Sequence, residues 1–234
     1  MTGRLLYDGE PPVPQKVTVD KDVEVCGKCN LVHETLLVDP NSKGIRNVIV
    51  MLTGDLGKSV AVHESYKETE TADVVFDNEH CRFEPHVVLL RATQKLVMRA
   101  RDPIASNVKI DMSPRNPSIN ITIASGGTYE KQFPRAESMP RKITCPVHTW
   151  ELAWIVVKDH PYMAATDEQG NFAITNVPAG KQEFMFWQEQ AGYLREVTVG
   201  GKKEAWQRGR VALTLKPGDN DLGDIVVSEK LFPR

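Results

Sequence analysis

Short runs rich in β-branched and other apolar residues recur along the chain, bounded by glycine, proline, aspartate and asparagine. They include KVTV at 16–19, NVIVML at 47–52, ADVVF at 72–76, HVVLL at 86–90, KLVMRA at 95–100 and NVKIDM at 107–112. INITIA at 119–124, KITCPV at 142–147, AWIVV at 153–157, NFAIT at 171–175, EFMFW at 183–187, VALTL at 211–215 and DIVV at 224–227 continue the series. The opening MTGRLLYDGE also reads as a strand. Such spacing predicts an all-β protein, an antiparallel sandwich or barrel. Helical signals are scarce, and the best candidate is a turn or two within the polar stretch HESYKETETA, 63–72.

The pattern changes character near Asp159. Asp167-Glu168-Gln169-Gly170 predicts a turn, a strand follows, VPAG turns again, and a second strand runs through Phe184 and Phe186. Alternation of Phe184, Phe186 and Gln188 against Met185 and Trp187 predicts two distinct faces. The expected division is therefore residues 1–159 and a smaller β-sandwich module over 160–234. The 15 prolines and 16 glycines suit so many turns.

Composition narrows the function classes. Apolar residues make up 41% and charged residues 26% of 234, and the formal net charge is −2 with both signs mixed along the chain. Nucleic-acid binding, which needs a clustered basic patch, is not expected. No apolar run approaches the roughly 18 residues of a membrane-spanning helix. MTGRLLYDGE lacks the apolar segment of a signal peptide, and one expectation is that a leader has been removed. The four cysteines, Cys26, Cys29, Cys81 and Cys145, are too few for a disulfide scaffold but allow one bridge and a ligand thiol.

The chemistry concentrates in CPVHTWEL, residues 145–152, where Cys145 and His148 stand three apart beside Trp150, with Glu151 three further on. Cys-x-x-His is how a short loop at a strand end presents two ligands to one metal ion. FEPHVVLLRATQKLVMRARDPIASNVKI followed by CPVHTWELAWIVVKDHPY resembles the cupredoxin (plastocyanin-like) family. TDEQGNFAITNVPAG resembles the transthyretin-like, carboxypeptidase-regulatory-like module, fused to plastocyanin-like domains in some secreted bacterial proteins. The resemblance covers most of the chain from Gly3 to Trp187. It implies a Greek-key β-sandwich, a periplasmic or secreted location, and one-electron transfer by copper held by two imidazoles, a thiolate and a weak axial methionine.

Carried over by position, the ligand set is incomplete. Cys145 matches the thiolate and His148 the second imidazole, but Ser106 stands where the first histidine is expected, ahead of Asn107. Glu151 stands at the axial methionine position, and Gln188 follows Trp187 where a histidine is expected. The expectation is thus a non-catalytic binding or assembly protein with a degenerate copper site and no cofactor. The alternative is a copper-binding electron-transfer or copper-handling protein with an altered centre using Cys145, His148 and Glu151. His86 is the candidate replacement imidazole, and zinc ranks below copper as the ion. A protein or redox partner is the expected class of partner.

CGKCNLVH offers Cys26, Cys29 and His33 as a zinc knuckle or a redox dithiol, although a second ligand pair and a βαβ context are missing. The resemblance implies a disulfide between Cys26 and Cys81 with Cys29 free; a Cys26–Cys29 bridge is the competing pairing. Trp150, Trp154, Phe184, Phe186 and Trp187 could form an aromatic sugar-binding surface, against the plainer reading of core packing. ASGGTYE lacks the ending of a phosphate-binding loop, and no Ser-His-Asp arrangement is recognisable. An enzyme is not expected.

Overall fold

The computed structural model describes residues 1–53 and 62–233. In chain order its elements begin with β1 (Thr2–Asp8), α1 (Val23–Cys26), β2 (Ile49–Leu52), β3 (Val74–Glu79), β4 (Arg82–Glu84), β5 (Val87–Arg91) and β6 (Lys95–Ala100). There follow β7 (Ser106–Ile110), β8 (Ile119–Ile123), β9 (Thr128–Gln132), β10 (Arg141–Thr144), β11 (Leu152–Lys158), β12 (Met163–Ala165) and β13 (Asn171–Ala173). The last are β14 (Gly180–Gln188), β15 (Gly192–Tyr193), β16 (Glu196–Val199), β17 (Lys202–Ala205), β18 (Arg210–Leu215) and β19 (Asp221–Ser228). The fold is all-β, as the strand-like runs predict.

The chain forms two compact units of nearly equal size, divided differently from the expected 1–159 and 160–234. A central unit comprises residues 15–34 and 64–161, and a terminal unit comprises 1–14, 35–63 and the chain from 162 onward. Strand pairing causes the difference. β1 runs parallel to β19, with Leu5 opposite Ile225, and β2 lies between β12 and β14, with Met51 opposite both Met163 and Met185. The module expected from 160 onward therefore recruits two strands from the N-terminal quarter of the sequence.

In the central unit one sheet has the order β5-β11-β10-β7-β8 and the other β4-β3-β6-β9. The chain changes sheet between β4 and β5, β5 and β6, β6 and β7, β8 and β9, and β9 and β10, the interleaving of a Greek-key sandwich. Strand β6 shows why these residues form strands. Leu96, Met98 and Ala100 are fully buried while Lys95, Val97 and Arg99 are half-buried, the period-two pattern of a sheet with one wet face. Phe76 and Phe83 from one sheet pack with Val88, Leu90, Ile143 and Ile155 from the other.

Both sheets of the terminal unit are five-stranded. The two faces expected of β14 are both buried: Phe184, Met185 and Phe186 are at most 1% exposed and Trp187 7%. Flanked by β2 and β18, β14 is a central strand, so its alternation separates two packed faces. These aromatics are core, not a sugar-binding surface. The Asp167–Gly170 turn forms as predicted, with Asp167 Oδ1 accepting from the Gln169 and Asn171 amides at 2.9 and 2.8 Å.

Gly170 closes that turn at φ +81°, and a Cβ there would lie 2.2 Å from the Leu5 carbonyl oxygen and 2.9 Å from Gly44 Cα. Backbone cannot retreat as a flexible side chain can. We expect Gly170→Ala to destabilise the terminal unit by about 2 kcal/mol or more, measured by denaturant unfolding.

Two local expectations are corrected. KVTV forms no strand; Lys16 alone makes an isolated bridge, to Val32. Within 63–72 the helical signal amounts to one 3₁₀ turn, Glu64–Tyr66, while the α-helical turn Val23–Cys26 lies where no helix was expected.

Candidate metal centre

The loop between β10 and β11 belongs wholly to the central unit. Thr144 pairs with Leu152, so residues 145–151 close the hairpin. Inside it the Cys145 amide donates to the Glu151 carbonyl at 3.2 Å and the Glu151 amide to the His148 carbonyl at 2.9 Å. The His148 amide donates to Cys145 Sγ at 3.2 Å. This turn gives the loop a period of three: Cys145, His148 and Glu151 are buried, while Pro146, Val147 and Thr149 are exposed.

The three inward side chains meet. Cys145 Sγ lies 3.7 Å from His148 Nδ1, and His148 Nδ1 lies 3.4 Å from Glu151 Oε1. Donor atoms of all three are within 4.8 Å of one another, and no other such group of three comes together among the described residues. Ligands held tetrahedrally around one zinc-sized ion at about 2.0–2.3 Å stand about 3.4–3.6 Å apart. The two separations from His148 Nδ1, 3.7 Å to Cys145 Sγ and 3.4 Å to Glu151 Oε1, lie close to that spacing. Glu151 is 1% exposed, and apart from the 3.4 Å approach of His148 Nδ1 to Oε1 its carboxylate has no hydrogen-bonding neighbour. Leaving buried polar atoms without hydrogen bonds is costly, so an acceptor-only group placed here suits a cation.

The remaining face of His148 is also engaged. Its Nε2 lies 2.7 Å from Asp22 Oδ2, and the ring packs against Trp150 at a centroid distance of 5.2 Å. Cys145 raises the His148 pKa most, Glu151 and Asp22 add to it, and burial opposes them; the result is an imidazole pushed up to about 11. Asp22 is the residue the sequence reading missed. It sits 126 positions from His148, and no local pattern marks it.

Ser106, at the start of β7 opposite Ile123, is fully buried and its Oγ has no hydrogen-bond partner. His86 is not brought to the cluster: it precedes β5, with Nδ1 3.6 Å from Glu34 Oε2. The full copper set of two imidazoles and a thiolate therefore does not fit these residues, whereas a three-donor set does. Cys26 and Cys81 form a disulfide and Cys29 is free, so Cys26 and Cys29 are not a dithiol. Burial, reinforced by Asp102 and opposed by Arg82, pushes the Cys29 thiol up, away from thiolate reactivity.

No protein-family model and no curated protein matches the chain. Solved structures similar to it include two copper(I) forms of amicyanin variants. One is 15% identical, covering 37% of this chain and 82% of that one at TM-score 0.33. The other is 14% identical, covering 47% and 98% at 0.34. A copper-containing nitrite reductase from Thermus scotoductus is 13% identical over 36% of this chain, at TM-score 0.33, and this chain spans 22% of its length. No helix is long and apolar enough to cross a membrane among the described residues.

Proposed function

We propose that the protein is a non-catalytic, periplasmic or secreted β-protein with a binding or assembly role. Its central unit is a cupredoxin-like scaffold without an electron-transfer copper centre, and its terminal unit is a transthyretin-like, carboxypeptidase-regulatory-like module. The observation that carries this reading is Ser106, a buried hydroxyl with no partner at the position expected for the first imidazole. A neutral hydroxyl is a poor copper ligand, and without a second imidazole the thiolate lacks the trigonal cage of a blue centre.

One observation favours a second reading alongside it. Glu151 completes a buried three-donor set with Cys145 and His148, an altered centre able to hold copper or zinc without shuttling electrons. Cys145 would supply the thiolate, His148 its Nδ1 and Glu151 a carboxylate oxygen, while the bound ion would lock the loop.

Anaerobic copper addition followed by electronic absorption tests both. Wild type is expected to show no thiolate-to-copper(II) band that cycles reversibly by one electron, whereas Ser106→His gains a cycling band by supplying the imidazole. An intense, cycling band in wild type at one equivalent, abolished by Cys145→Ala, would overturn the first reading. The second fails if the reduced protein binds copper(I), copper(II) and zinc no more tightly than Cys145→Ala does.

A further inference from the structure

We infer that Asp22 is a positioning residue of the three-donor centre, turning His148 so that Nδ1 faces Cys145 and Glu151 while its outer edge is closed. The inference rests on the reading that those three side chains hold an ion. His148 Nδ1 points toward Cys145 Sγ and Glu151 Oε1, at 3.7 and 3.4 Å, while Nε2 meets Asp22 Oδ2 at 2.7 Å. An imidazole that hydrogen-bonds a carboxylate through one nitrogen is fixed in ring orientation and made a better ligand through the other.

Asp22 itself is held in place. Its backbone is left-handed, φ 44° and ψ 43°, and its carbonyl accepts the Val25 and Cys26 amides, both at 2.9 Å. Cys26 is then tied to Cys81 by the disulfide, and the Cys81 carbonyl accepts the Trp150 indole N–H at 3.0 Å. One covalent clamp thus steadies the residue that grips His148 and the tryptophan that packs on it. With Asp22 on its outer edge, His148 is only 1% exposed.

The test uses zinc(II), measured by competition with a chromophoric chelator, and cobalt(II) as a spectroscopic probe, in the full chain with its disulfide intact. Asp22→Ala is expected to weaken zinc binding 10- to 100-fold, with Asp22→Asn in between because its amide oxygen still accepts a hydrogen bond. Cobalt bands at saturation should shift in Asp22→Ala as the ring loses its orientation, a change that simple loss of stability does not produce. Glu24→Ala removes a nearby carboxylate without contact to His148 and should leave both readouts unchanged. Equal zinc affinity and an identical cobalt spectrum in wild type and Asp22→Asn and Asp22→Ala would overturn the role of Asp22 alone. Zinc binding in wild type no tighter than in Cys145→Ala would remove the centre, and the inference with it.

Discussion

Replacing Cys26 and Cys81 together by alanine is expected to lower the unfolding free energy of the central unit by on the order of 4 kcal/mol. The cysteines are 55 positions apart, so the bridge closes a long loop and removes much of the freedom of the unfolded chain. Few substitutions reach that size. The bridge is also the centre of a small satellite core in which Leu31 is buried and Val17, Val19, Ile104 and Trp150 pack around it. Residues 15–34 contain only one helical turn and an isolated bridge, so this cluster is the apolar anchor of a segment with little regular structure. Denaturant unfolding of the double variant beside wild type, with and without reductant, measures the difference. Reductant should bring wild type to the level of the variant. A loss below about 1 kcal/mol would mean that the unfolded chain is already compact across this loop. The double variant is chosen because a single replacement leaves a thiol beside Cys29. Its zinc affinity should fall as well, since Asp22 loses its anchor.

The strands were legible because a sheet imposes a period of two on its own residues. KLVMRA coincides with β6, and HVVLL, INITIA, VALTL and DIVV each mark a strand to within a few positions. KVTV was misleading, since β-branched composition alone does not supply a neighbouring strand to pair with. The division into units was not legible either. Parallel pairing of β1 with β19 joins the two ends of the chain, and local periodicity carries no information about so distant a partner.

The candidate centre divides in the same way. Cys145, His148 and Glu151 share one tight loop, so their spacing announces the cluster, and Ser106, standing where the resemblance implies an imidazole, can be read from one position. Asp22 has no such mark. It reaches His148 only because the segment carrying it is tethered through Cys26 to Cys81, a relation that exists in space and not along the sequence. His86 shows the reverse, a histidine at a suggestive position whose strand delivers it to Glu34 instead.

Protonation of His148 supplies the other large effect. In metal-free protein its pKa is pushed up to about 11 by Cys145 first, then Glu151 and Asp22, against an ordinary value of 6.5. A group whose folded pKa is raised contributes stability that is fully present below its unfolded pKa and is lost as pH rises through the folded one. The unfolding free energy of metal-free protein should therefore decline from pH 6.5 toward pH 11. Because Glu151 is the second-largest cause of the shift, Glu151→Gln should flatten that decline without abolishing it. An ion at Nδ1 requires the neutral ring, so binding expels the same proton. Apparent zinc affinity should accordingly rise about tenfold per pH unit between pH 7 and 9 for each proton released. Isothermal titration in buffers of different ionisation enthalpy counts those protons. Zinc bound with no proton released, and with equal affinity at both pH values, would mean that His148 is not among the ligands.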